Sequence, residues 1–336
     1  MVTIRDIAIR AGVSTATVSH VVNQNYPVSV QVRERVLRSI RDLNYHPNAM
    51  ARGLRTSRSK TVGMVIPDIT NPFFPAVVRA AEDVLNHAGY TLFVGNSDNA
   101  LTKQESYYRA FREQRVDGLL LITSGSRSTP EYLSNHQSTG VPIVLIDRYY
   151  PGMDADAVLA DNLRGSYEAV DHLLDHGHRR IGIITGPLQL INARLRLAGY
   201  KKALEARRVA LKEDLVAEGR FDIESGYQQA RNLLALSPRP TALFICNGLM
   251  TEGCLRAMSE LRLVHKIALV SFDDLGWFPF AKPSVSAVAQ PAYDLGAAAA
   301  NILLKRISGK MTGPPRRRLL KTTLIVRDSS LGLHRR

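Results

Sequence analysis

Several polar and aromatic side chains stand directly after short apolar runs, where they could grip a ligand. Phe73 and Phe74 follow "TVGMVIPD", Asp147 and Arg148 end "VPIVLIDRY", Asn247 ends "TALFICNG" and Asp273 ends "KIALVSFDD". Arg194 and Arg196 fall within "NARLRLAGY", and Phe221 lies beyond them. Carboxylate, amide and guanidinium groups around aromatic platforms suit a polyol, because each hydroxyl both donates and accepts. The additional arginines Arg148 and Arg194 would also tolerate a sugar acid or a sugar phosphate.

A second kind of chemistry is written in "STATVSHVVN", residues 14–23. Small hydroxyl and methyl side chains on one helix face allow close approach to another surface. In a DNA major groove, Thr15 and His20 can hydrogen-bond base edges, and Ala16 offers a methyl for thymine. Ser14, Thr17 and Ser19 suit capping or phosphate contact, which positions without specifying. Thr3 and Asn23 complete the set of expected DNA contacts in this region.

Catalytic arrangements are missing. His172 and His176 share the i, i+4 spacing that can hold zinc, but no Glu follows His172 as in HExxH. No nucleophile elbow, Walker loop or dinucleotide glycine fingerprint occurs, so no enzyme, cofactor or metal site is expected. Cys246 and Cys254 lack the spacing of a disulfide framework or a zinc site, which leaves buried free thiols.

These groups need elements to hold them. The spacing predicts a helix opened by Thr3 and Asp6 in a capping box and carrying Ile4, Ile7, Ala8 and Ala11 at helical intervals. Gly12 ends it and Ser14 caps a second helix, with Val18, Val21 and Val22 inward. A third runs from about Val30 to Leu43, with Val32, Val36, Ile40 and Leu43 inward and its arginines mostly outward. Three short helices with a glycine turn make a helix-turn-helix. From Thr61 onward, short buried strands alternate with amphipathic helices in two successive sets, which implies two α/β lobes with parallel sheets. Ligands bind at the carboxyl ends of such strands.

Charge follows the same division. The 336 residues carry a formal net charge of +14. Residues 1–60 hold 10 Lys/Arg against 3 Asp/Glu, and residues 301–336 hold 10 against 1. A basic module on a near-neutral body predicts a polyanion partner. No signal peptide and no membrane-length apolar run is visible, so a cytoplasmic protein without membrane contact is expected.

"TIRDIAIRAGVSTATVSHVVN" followed by "VRERVLRSIRDLNYHPNAMARGLRT" resembles the DNA-binding head and hinge of the LacI/GalR family, and the likeness continues along nearly the whole chain. It implies a helix-turn-helix head over 1–47, a hinge over 48–60 and a two-lobed body like periplasmic sugar-binding proteins over 61–336. Lobe 1 would comprise about 61–161 and 291–320, and lobe 2 about 162–290 and 321–330. The chain would cross between lobes near Asp161, Ala289 and Leu320.

In the hinge, Asn48 is a good N-cap, while Gly53 leaves a short helix marginal when isolated. By resemblance, Leu54 wedges into the minor groove, Ala51 lies in it, and Arg52 and Arg55 approach the backbone. A flexible basic linker is the competing reading of this segment. In the body, the resemblance assigns effector hydroxyls to Arg196, Asn247 and Asp273, stacking to Phe74 and Phe221, and a further polar contact to Asp147.

The recognition helix is most similar to the purine and galactose branch. Leu190 stands where the purine branch has Arg, which argues for a sugar, sugar acid or sugar phosphate over a purine. Gly248 after Asn247, a shortened loop at 264–266 and Ser271 in place of a common Gly are further departures. Two-fold dimers on near-palindromic DNA are expected, held by helices such as 73–89 and 249–262. No leucine heptad tail follows Arg327, so no tetramer is expected. The resulting expectation is a ligand-responsive homodimeric repressor of a double-stranded DNA operator. The rival is a solute-binding protein without regulatory role, for which the body alone would serve.

Overall fold

The computed structural model describes residues 2–23, 26–45, 58–125, 128–134 and 140–331. Expectations placed on Asn48, Ala51, Arg52, Leu54 and Arg55 lie outside the described residues. The chain divides into two compact units, one ending at Ser59 and the other beginning at Lys60.

In the first unit, α1 (Ile4–Ala11), α2 (Thr15–Asn23) and α3 (Val30–Asp42) pack around Ile7, Ala8, Ala11, Val18, Val21 and Val36. The Asp6 carboxylate accepts from the Thr3 backbone N–H and from the Thr3 hydroxyl, each at 2.8 Å, and fixes the start of α1. Gly12 ends it at φ 61°, in the left-handed region that favours glycine. Arg10 and Asp42 tie α1 to α3 at 3.0 Å.

The second unit opens with strand β1 (Thr61–Ile66) and α4 (Phe73–His87), then β2 (Thr91–Asn96) and α5 (Leu101–Glu113). β3 (Gly118–Leu121), α6 (Glu131–Ser134), β4 (Ile143–Ile146) and β5 (Asp156–Ala160) follow. After α7 (Asn162–Asp175) come β6 (Ile181–Thr185), α8 (Ile191–Ala206), β7 (Val216–Glu218) and α9 (Ile223–Leu234). Next are β8 (Ala242–Ile245), α10 (Gly248–Glu260), β9 (Ala268–Phe272) and β10 (Ser286–Ala289). α11 (Ala292–Ile307), β11 (Arg317–Leu320) and β12 (Thr323–Ile325) close the unit.

Two six-stranded sheets result, ordered β11-β5-β4-β3-β1-β2 and β12-β10-β9-β8-β6-β7. The first is parallel throughout, whereas the second carries β12 as an antiparallel edge strand on β10. Alternate residues of one strand serve opposite faces, so Met64 and Ile66 enter one core layer and Val65 the other. The chain passes between sheets at Asp161, at Gln290–Pro291 and at Lys321–Thr322, because β5, β10 and β11 each end just before these points. Among the described residues, no helix is long and apolar enough to cross a membrane.

Candidate functional site

The exposed face of α2 is built by its cap and its inward valines. Ser14 Oγ accepts from the Thr17 N–H at 3.0 Å and pairs with Thr17 Oγ1 at 2.9 Å. Val18 and Val21 are buried, which turns Thr15 and Ala16 to solvent and leaves Thr17 and His20 half-buried. The His20 ring lies 5.2 Å from that of Tyr26. Ser19, expected to cap or to touch phosphate, is buried at 9% exposure beside the inward Val18. Thr3 serves α1 through Asp6, and Asn23 ends the α2 backbone, its side chain lying outside the described set.

The second candidate site lies between the two lobes, at the carboxyl ends of their strands. In each sheet the first strand is flanked by the second and third, so strand order reverses there and a crevice opens. A narrow cleft with about 20 Å³ of free volume is lined by Phe73, Phe74, Asp147, Arg148, Arg196, Phe221, Asn247 and Asp273, joined by Asn71, Asn192 and Gln290. Asp147 and Asp273 occupy matching positions in the two lobes, each directly after the fourth strand. They adopt φ of 60° and 76°, and Phe221 adopts 65°. Such left-handed backbone at non-glycine residues concentrates where surrounding structure enforces it, often at functional sites.

The charged groups are tightly fixed. Arg196 is 2% exposed, with Nε donating to Asn162 Oδ1 at 2.7 Å and Nη1 to the Cys246 carbonyl at 2.5 Å. Its guanidinium stacks 3.8 Å from the Phe272 ring centroid. Arg148 donates through Nη1 to Asn99 Oδ1 at 3.0 Å and to the Thr123 carbonyl at 3.1 Å. Its guanidinium lies 5.7 Å from the Phe74 ring and 5.8 Å from the Phe221 ring, so both lobes supply an aromatic wall.

Arg148 Nε stands 3.5 Å from Asp147 Oδ2, which also accepts from Asn192 Nδ2 at 3.1 Å. Asp147 Oδ1, Arg148 Nε and Gln290 Oε1 have no hydrogen-bond partner among the described residues. Burial pushes the Asp147 carboxyl above the usual carboxylate range, and Arg148 and Arg196 pull it back only in part. Asp273 accepts from Gln290 Nε2 at 2.5 Å and from the Gly248 N–H at 3.4 Å. Asn247 caps α10 by accepting from Met250 N–H at 2.7 Å.

Arg194 does not join this group. Its Nη1 donates to the carbonyls of Leu188 and Gln189, both at 3.0 Å, and so braces the loop before α8. The reason is helical geometry: position 194 lies about 200° around the helix from both 192 and 196. That geometry also holds the signal for Asn192, which a reading of single residues misses: at i, i+4 from Arg196 it shares the cleft face. Gln290, at a crossover, has no such signal. Leu190 is buried in the lobe 2 core, and Ser271 satisfies its hydroxyl through Thr251 Oγ1 at 2.7 Å.

His172 and His176 have ring centroids 4.3 Å apart, and His172 Nε2 pairs with Ser330 Oγ at 2.8 Å. Cys246 and Cys254 are buried free thiols whose pKa values burial pushes up to about 12.

Residues 3–48 match the family model of bacterial regulatory proteins, lacI family, and residues 170–330 that of the periplasmic binding protein-like domain. The chain is 36% identical over 333 residues to the HTH-type transcriptional repressor PurR of Haemophilus influenzae (strain PittEE), covering 98% of each protein. It is 35% identical over 335 residues to the ribose operon repressor of Haemophilus influenzae (strain ATCC 51907 / DSM 11121 / KW20 / Rd), covering 99% of this chain and 100% of that one. Among solved structures it is similar to the Lac repressor dimer bound to operator and the anti-inducer ONPF. That match has a TM-score of 0.87 and 27% identity, over 98% of this chain and 99% of that one.

Proposed function

This chain belongs to the lacI family of bacterial transcriptional regulators, and on that premise we propose that it is a homodimeric repressor whose operator affinity is set by a sugar or sugar acid. It has no catalytic role in this reading and works in the cytoplasm. The exposed face of α2 reads base edges in the major groove through Thr15, Ala16 and His20. The effector enters the cleft as the lobes part, and its differential contact with the two lobes sets their relative position and thereby the operator-bound population.

The observation that carries the effector reading is the pair of unsatisfied buried atoms, Asp147 Oδ1 and Arg148 Nε, beside the rings of Phe74 and Phe221. A hydroxyl-bearing ring supplies a donor to the first and an acceptor to the second while stacking on the aromatic walls. Leaving a buried polar atom unpaired costs about 1–3 kcal/mol, which a ligand that pairs it recovers. Asp147 and Asp273 balance Arg148 and Arg196, so within this class a neutral sugar preserves charge balance better than a sugar acid. A relative named for a ribose operon supports the sugar, and the apolar Leu190 speaks against a purine.

A thermal-shift screen over sugars, the matching sugar acids, sugar phosphates and purines tests this. A ligand at 100 times its Kd adds about 2.7 kcal/mol, a rise of roughly 5–10 °C in a domain of this size. A purine hit with silent sugars would overturn the effector assignment.

A further inference from the structure

The parallel arrangement of lobe 1 has a consequence for charge. β1 and β11 both run parallel to their neighbours, so the amino ends of all six strands share one rim of the sheet. Lys60 brings the chain from the first unit to that same rim, immediately before β1. Exposed on it or in the loops that form it are Lys60, Arg115, Lys310, Arg316 and Arg317.

None of these five side chains has a carboxylate within ion-pair distance among the described residues, although Lys60 lies over the Tyr90 ring and Arg317 over the Tyr149 ring, at 4.3 and 4.4 Å. Several exposed arginines elsewhere on this unit are paired, among them Arg109 with Glu105, Arg164 with Glu168, Arg207 with Asp171 and Arg220 with Asp222, whereas Arg79, Arg208 and Arg262 are not in an ion pair among the described residues. The acidic groups at the rim are already engaged in part. Asp156 takes a two-pronged bond from Arg306 at 2.7 and 3.1 Å and a third from the Arg316 N–H at 2.9 Å. Asp117 accepts from the Lys60 N–H at 3.1 Å.

We propose that this rim is a second DNA-contacting surface, one that holds backbone phosphates. The inference rests on the DNA-binding reading above and extends it from the first unit to the second. β11 and β1 are four strand spacings apart, roughly 19 Å, which spans between five and six base pairs of duplex. Charge on an edge strand also deters pairing with other chains. That explains the arginines of β11, but not Lys60, Arg115 and Lys310, which lie in the surrounding loops. Duplex DNA presents phosphates that recur along one line, and the chain itself tethers the rim to a DNA-binding unit, which raises the local concentration of duplex.

The test uses the full chain and a fluorescent random-sequence duplex of about 40 bp, with affinity followed by anisotropy between about 50 and 200 mM salt. Removing one lysine or arginine from a phosphate reduces the slope of log K against log[salt] by about 0.9, so K310Q/R316Q/R317Q should lower it by up to about 2.7 per protomer. K201Q/K202Q/K212Q, which removes equal charge from exposed positions of lobe 2, should leave it nearly unchanged. R316E/R317E gives an independent check should the triple variant no longer melt cooperatively.

A rim variant with the wild-type slope overturns the inference and leaves the DNA-binding reading intact. Equal reductions from both triple variants overturn it too, because bulk charge then accounts for the effect. Wild-type protein that binds no duplex at the lowest salt sinks the underlying reading together with the inference.

Discussion

Gly186 follows β6, and the ring of Phe221 lies directly on it. A Cβ at this position would stand 2.0, 2.2 and 2.5 Å from Phe221 Cζ, Cε1 and Cε2. Phe221 has little freedom to yield, because its backbone sits at φ 65° and its ring is wedged beside Arg148 and Arg196. Gly186→Ala is therefore an overpacking substitution costing about 1–3 kcal/mol, or roughly 2–12 °C of melting temperature. If the ring swings out to relieve the clash, the effector loses a stacking wall worth about 0.5–1.5 kcal/mol, and its Kd rises roughly two- to thirteenfold. The assay is a double-mutant cycle by urea unfolding, with effector titration in parallel. Phe221→Ala removes the ring that the new methyl strikes, so the double variant should be about 1–3 kcal/mol more stable than the two single effects added together. Additivity within about 0.5 kcal/mol would refute this geometry of the cleft wall.

Arg196→Lys keeps the charge but loses the fork that serves Asn162 and the Cys246 carbonyl. Calorimetry should show effector Kd raised at least tenfold, about 1.4 kcal/mol, and an unchanged Kd would remove Arg196 from the site. Ser14→Ala deletes the acceptor for the Thr17 N–H and should cost the first unit about 1 kcal/mol, seen as faster amide exchange at Thr17. His172 and His178 are held below their ordinary pKa of 6.5, chiefly by burial and then by His176. The unfolded chain then binds protons first, so stability is full above that value and declines as pH falls through it toward the lowered pKa. A His172→Gln/His178→Gln variant should flatten this decline as pH falls below 6.5, and an equally steep decline would refute the linkage.

Much of this structure was legible because its physical causes are local. Thr3 with Asp6, Gly12 and Ser14 are capping signals that act within a few residues, and the structure uses each in that role. The cleft residues were readable from a general rule, since polar groups after buried parallel strands face the crevice. What escaped depends on orientation or on distant partners. Arg194 and Arg196 look alike in sequence, yet only one turns to the cleft. Ser19 reads as one more small hydroxyl until the inward face of α2 is fixed by its packing on α1 and α3. The antiparallel β12 has only three residues, Thr323–Ile325, and its partner β10 lies across two crossovers, so no local pattern announces it.

In the proposed mechanism DNA and effector bind one protein whose two equilibria are linked, and coupling can be measured from both ends. Duplexes selected from random sequence by the full chain provide the operator, and the thermal-shift screen provides the effector. Operator affinity is then measured with and without effector, and effector affinity with and without operator. Linkage requires one coupling factor from both directions, between about 5 and 150, and its disappearance in Arg196→Ala while operator affinity without effector is retained. A factor of one, with both ligands bound, would show that cleft and DNA are not linked and would contradict the regulatory mechanism.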